Sequence, residues 1–204
     1  MEIKLLKDFG QLSEMDIKEE IAKKIANIKF DESIDNNLKD LAQMNFKLYL
    51  TTNYDHSLNR YITSGDIPIC LADFDFNTQN LFSLTTKKIF HLHGHVSNPG
   101  TIVISEDSYN ELYNKERYKK LFNLLGASKA FMFVGMSLDD QFMKKLIKDH
   151  VDVFKSKGFI LLDKSLSDKF SELKTETNIE VIEYDSKGVG HVEAIRNILQ
   201  EIES

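Results

Sequence analysis

Four consecutive apolar residues, Phe131-Met132-Phe133-Val134, form the segment that most narrows what this chain can fold into. An extended backbone turns alternate side chains to opposite faces, so a strand that is apolar at every position has to be covered on both sides. That run sits inside a strand-compatible stretch over 130–135. Further stretches rich in aromatic and branched residues occur at 46–52, 88–93, 101–104, 158–162 and 180–184. Helical patterns fall between most of them. Doubly buried strands alternating with helices specify an α/β fold of three layers, a mostly parallel sheet flanked by helices.

The helices are read from three-to-four spacing. Ile17, Ile21, Ile25 and Ile28, followed by Leu38, Leu41 and Ala42, make 11–43 helical and define residues 1–45 as a helical N-terminal segment ahead of an α/β core at 46–204. Phe142, Met143, Leu146, Ile147 and His150 form a stripe after Gly135, and Val192, Ile195, Ile198, Leu199 and Ile202 form the last one. At 204 residues the chain is expected to build one domain.

Composition removes several function classes. An excess of 32 acidic over 26 basic residues leaves a net charge of -6, so no overall basic field attracts a polyanion and nucleic acid is not an expected partner. One cysteine, Cys70, makes neither an internal disulfide nor a four-ligand zinc site by itself. A reducing, cytoplasmic setting fits that usage. The first twenty residues show no apolar signal core, and no apolar run approaches the roughly 20 residues of a bilayer-spanning helix, so no membrane partner is expected.

In open parallel sheets ligands bind at the carboxyl ends of strands. Polar clusters stand at three such ends: Thr51-Thr52-Asn53-Tyr54-Asp55, His91-Leu92-His93-Gly94-His95, and Gly135-Met136-Ser137-Leu138-Asp139-Asp140. Each has an ordinary structural reading. Asn53 and Ser137 suit helix caps, Gly135 suits a tight strand end, and His93 suits a core position. On an ideal strand His91, His93 and His95 would also share one face, a spacing able to ligate metal. Gly94 is expected to end the strand before His95, however, and no second ligand cluster accompanies the histidines, so a metal site is not expected.

Taken in order, Thr-Thr-Asn-Tyr-Asp at 51–55, Leu-His-Gly at 92–94 and Phe-Val-Gly-Met-Ser-Leu-Asp-Asp at 133–140 resemble the bacterial sirtuin-like (silent information regulator 2-like) domain family. Glu180-Val-Ile-Glu-Tyr-Asp185 followed by Gly190-His191-Val192 is similar to the end of that domain. The resemblance implies a Rossmann-like fold that takes NAD as its substrate and breaks the bond between nicotinamide and ribose. It implies Asn53 and His93 as catalytic residues, Asn53 orienting a water and His93 acting as general base. Thr52, Asp55, Gly135 and Ser137 would contact the dinucleotide. The residue types suit the reaction: the anomeric carbon develops oxocarbenium character as nicotinamide leaves, which calls for a held ribose and an oriented water. Histidine titrates close to neutral pH.

Two departures shape the expectation. The zinc ribbon of the sirtuin deacylases needs four cysteines, so NAD hydrolysis, which the resemblance links to bacterial antiphage defence, is expected ahead of protein deacylation. The family's glycine-rich phosphate loop has no counterpart before Asn53, where Gly10 stands alone. The fold is therefore expected to be N-terminally incomplete, as a fragment of a longer reading frame or as a degenerate domain, with weak NAD affinity and a homo-oligomeric or defence-system partner. The alternative is a non-catalytic module that binds NAD or ADP-ribose as a sensor or for assembly.

Overall fold

The computed structural model describes residues 12–62, 68–74, 87–126, 130–135, 158–168, 170–171 and 179–203. The chain divides into two compact units, Met1–Lys115 and Glu116–Ser204. The stripe from Phe142 to His150, along with Ser137, lies outside the described residues.

The first unit opens with helix α1 (Glu14–Ala26), whose start is fixed by a reciprocal capping box between Ser13 and Asp16. It packs Ala22 and Ile25 against Val96, Ile102, Tyr54 and Ile104. Ile28, read as part of the same stripe, falls beyond the last turn and is 71% exposed. A short helix α2 (Leu38–Gln43) follows, and its final carbonyl region receives the Lys87 ammonium at Ala42 and Met44. A cation at a helix C-terminus neutralises carbonyls that have no amide partner.

Strands β1 (Leu48–Thr51), β2 (Ile69–Cys70) and β3 (Lys88–His91) form an all-parallel sheet ordered β1-β3-β2. Tyr49 and Ile89 from this sheet pack with Ile62, Leu41, Ala42, Phe46 and Leu58. The α2 side is thereby covered. The stretch 101–104 is not a strand. Thr101 ends a 3-10 turn at Pro99–Thr101, and Val103 donates its amide to the His93 carbonyl instead of entering a ladder. Burial of Thr101, Ile102 and Val103 on a closing loop imitates the apolar signature of a strand. Helix α3 (Glu106–Asn114) completes the unit, capped by Ser105 and Ser108.

The second unit contains helix α4 (Glu116–Gly126), strands β4 (Phe131–Phe133), β5 (Gly158–Asp163) and β6 (Ile179–Tyr184), and helix α5 (His191–Glu203). Its sheet is also parallel, ordered β4-β5-β6. Ile160, Leu162, Phe170 and Ile179 make its core together with Phe133, Leu166 and Val181. On α5, Ala194, Ile195 and Leu199 are buried whereas Ile202 is 47% exposed, so the last turn leaves the core. The α/β class with parallel strands and flanking helices holds in both units. No helix among the described residues is long and apolar enough to cross a membrane.

Candidate active site

The carboxyl ends of β1 and β3 meet because Thr51 and His91 are register partners. The Thr51 carbonyl also accepts from the Leu92 amide at 2.9 Å, carrying the pairing one residue past the ladder. Beyond β1 the chain turns on two side-chain acceptors. Thr51 Oγ1 takes the Asn53 amide at 3.1 Å, and Asp55 Oδ1 takes the Ser57 amide at 2.7 Å, ahead of a 3-10 turn at Leu58–Arg60. The Asn53 side chain is therefore not the cap. It is exposed and enters no hydrogen bond among the described residues, while Thr52 and Asp55 are half-buried.

Past β3 the backbone reverses at Gly94, whose φ is +92°. A Cβ there would lie 2.2 Å from the Thr101 carbonyl oxygen, so the position combines a left-handed conformation with a backbone approach that excludes any side chain. The loop over it is stitched by Thr101 Oγ1, which accepts the His95 amide at 3.1 Å, and by Tyr54, whose hydroxyl donates to the Val103 carbonyl at 2.6 Å.

This reversal separates the alternating histidines. His93 is 2% exposed and meets the hydroxyls of two α3 tyrosines, with Nε2 2.5 Å from Tyr113 and Nδ1 3.5 Å from Tyr109. His91 and His95 instead pack with each other at 4.5 Å between ring centroids, and His56 lies 4.1 Å from His95. The shared face read from the alternation is lost because the strand ends at His91. No group of three or more His, Cys, Asp or Glu suited to holding a metal occurs among the described residues.

Hydrogen bonds assign the tautomers of the pair. His91 Nδ1 faces the Asn53 carbonyl at 3.0 Å, which accepts, so Nδ1 carries the proton and Nε2 does not. His95 Nδ1 accepts the Ser97 amide at 3.1 Å, so a neutral His95 is protonated at Nε2. Both Nε2 atoms are buried without a hydrogen-bond partner among the described residues. Burial holds the His91 pKa below its ordinary value, with His56 adding to the effect and the Asn53 carbonyl and Asp55 opposing it. Burial, reinforced by His91 and His56, lowers His95 to about 4. Through its Nδ1–H, neutral His91 ties the Asn53 turn to β3.

Asn53 and His93 thus stand on adjoining strand ends of one unit. Gly135 follows β4 in the second unit, with φ +69° and nothing among the described residues within 4 Å of where a Cβ would be. Sequence reasoning did not single out Tyr109, Tyr113, His56 or Asp163. The four-residue spacing of the two tyrosines on a polar helix was the available signal for the first pair. Asp163, at the end of β5, accepts the Ser165 amide at 2.9 Å and the Ser186 amide at 3.1 Å, and hydrogen bonds from the Ser165 and Ser186 side chains first, then from these amides, hold its carboxyl far below the usual range.

Comparison with known proteins finds relatives of the chain. An NAD(+) hydrolase ThsA from Cytobacillus dafuensis is 23% identical over 171 residues, covering 79% of this chain and 34% of that protein. An NAD(+) hydrolase ThsA from Enterococcus faecium is 24% identical over 123 residues, covering 57% of this chain and 25% of that protein. The chain thus spans about a third or less of the length of these relatives. The family model of the SIR2-like domain matches residues 47–182, which takes in β1, the Asn53 turn, the His93 loop and most of β6. This chain belongs to the SIR2-like domain family.

Proposed function

We propose that the chain is an NAD+ glycohydrolase that releases nicotinamide and ADP-ribose, with Asn53 and His93 as its catalytic residues. The observation that carries the reading is the division of labour at the β1 and β3 ends. Thr51 and Asp55 build the turn, leaving the Asn53 amide free to bind, while His93 is held by side-chain hydroxyls at a fixed position. As the bond from the anomeric carbon to nicotinamide lengthens, Asn53 orients the attacking water and His93 receives its proton. Thr52 and Asp55 contact the ribose side of NAD, and Gly135 and Ser137 its ribose or phosphates. The names of the relatives support NAD as substrate. The biological role we propose is NAD hydrolysis in bacterial antiphage defence, in the cytoplasm, with assembly into an oligomer or onto a defence-system partner.

The test is nicotinamide release from NAD by the purified chain, resolved chromatographically, beside Asn53→Ala and His93→Ala. Release that depends on both residues supports the reading. NAD that binds without being cleaved would favour a sensor role instead. Because the exposed Asn53 amide holds no cap, Asn53→Ala should lower the rate while leaving the melting temperature within about 2 °C of wild type.

A further inference from the structure

His93 has a difficulty as a base that acts directly: neither ring nitrogen is open to solvent. The side chain is 2% exposed, Nε2 meets the Tyr113 hydroxyl at 2.5 Å, and Nδ1 meets the Tyr109 hydroxyl at 3.5 Å. Both tyrosines are half-buried residues of α3, one helical turn apart, with rings parallel to within 7° and each standing edge-on to the imidazole. The two hydroxyls are thus interposed between the histidine and its surroundings. The helix bearing them starts from the Ser105–Ser108 capping box, and the preceding loop is fastened to the His93 carbonyl by the Val103 amide.

We propose that Tyr113 is a further catalytic residue, the group that touches the attacking water and relays its proton to His93. This rests on the hydrolase reading above. In the relay the Tyr113 O–H donates to His93 Nε2, while His93 Nδ1–H points to the Tyr109 oxygen, so Tyr109 is a positioning residue that selects the tautomer. As water attacks, one of its O–H bonds breaks and that proton passes to the Tyr113 oxygen, while the original Tyr113 proton moves to His93 Nε2. The water oxygen bonds to the anomeric carbon. The carbon–nitrogen bond to nicotinamide breaks with its electron pair going to the pyridinium nitrogen, which becomes neutral. His93 ends as imidazolium and Tyr113 is again a phenol, so no oxidant or further reactant is required. Relay through a bridging hydroxyl keeps the base buried and fixed while the exchangeable proton sits at the half-exposed phenol.

The experiment compares wild type, Tyr113→Phe, His93→Ala and the double variant for NAD cleavage, with KM, kcat and melting temperature measured for each. The relay predicts that Tyr113→Phe lowers kcat by about 100-fold or more with little change in KM. The double variant should be no slower than His93→Ala alone, because the two residues act as one unit. Replacing Tyr113 with 3,5-difluorotyrosine retains the hydroxyl with a more acidic phenol and should displace the pH–rate profile, a response that a merely structural phenol would not give. This second variant also decides the matter if Tyr113→Phe fails to fold. Cleavage that depends on His93 but stays within threefold of wild type in Tyr113→Phe, or an unmoved profile in the fluorinated protein, overturns the relay alone. A wild-type chain that does not cleave NAD, or that cleaves it independently of His93, overturns the hydrolase reading and the relay together.

Discussion

The end of β3 in the first unit and the end of β5 in the second both place acidic or basic side chains where an α/β sheet normally binds its ligand, yet they use them differently. At β5, both carboxylate oxygens of Asp163 are engaged by Ser165 and Ser186, through side chains as well as backbone amides. At β3, His93 meets side-chain hydroxyls, and the neighbouring His91 and His95 each keep a ring nitrogen with no partner among the described residues. A carboxylate held far below its usual range stays ionised through neutral pH and serves its turn as a fixed acceptor. An imidazole set between two hydroxyls has partners with which it can exchange a proton. The contrast separates the two strand ends by the partners their side chains meet, which residue type alone does not supply.

The largest effect that would sharpen the contrast is at Gly94. Gly94→Ala puts a methyl 2.2 Å from the Thr101 carbonyl oxygen at a φ of +92°, so the loop carrying His93 has to open. A loss of more than about 4 kcal/mol is expected, read as a collapsed melting transition or insoluble protein. A variant with native stability would mean that the loop is not held as described.

Next in size is His93→Ala, for which the rate of NAD cleavage should fall by roughly 100- to 10,000-fold with a modest change in melting temperature. Asp163→Asn is its counterpart at β5. It should lower the melting temperature by roughly 2–4 °C and leave cleavage within about threefold of wild type. If Asp163→Asn abolished turnover with an unchanged melt, the two strand ends would have exchanged roles.

Acid should act on both ends in different windows. The pKa values of His91 and His95 are depressed in the fold, so the unfolded chain binds more protons as pH falls below the ordinary histidine value of 6.5. Stability is then complete above pH 6.5 and declines toward about 4, where folded His95 itself titrates. Asp55 opposes this trend, and His56, with the charge of His91 acting on His95, reinforces it. With solvent screening near the exposed His56 allowed for, roughly 2 kcal/mol should be lost across that window. Asp163, depressed in the other direction of charge, contributes stability that is present above its unfolded value and disappears only at more acidic pH. Melting curves from pH 7 to 4 on wild type and His95→Gln distinguish the two, since the variant should flatten the upper part of the decline.

The smallest effect belongs to Cys70. Its thiol is buried, and burial raises its pKa, so it should react slowly with alkylating reagents in the folded chain. Cys70→Ser should leave the rate of NAD cleavage within about twofold, and elemental analysis of the purified chain should find no stoichiometric zinc. Tightly bound zinc would reopen the division between the two strand ends by assigning the unpartnered histidines a ligand role.

Residue order alone was enough for the α/β class, for strands read at 46–52, 88–93, 130–135, 158–162 and 180–184 against observed strands at 48–51, 88–91, 131–133, 158–163 and 179–184, and for polar clusters holding Asn53 and His93 at strand ends, because doubly apolar runs and polar strand termini are local properties. It did not distinguish the 101–104 loop from a strand, since a loop buried over Gly94 carries the same apolar signature. It also missed the two-residue strand Ile69–Cys70, too short to show a period. Tertiary structure decided which partners each histidine meets. His91, His93 and His95 are equivalent in an alternating pattern. Only the reversal at Gly94 and the approach of α3 send His93 to Tyr113 and leave His91 and His95 against each other. Hydrogen-bond partners drawn from residues twenty or more positions away are set by packing, and no local period of the chain encodes them.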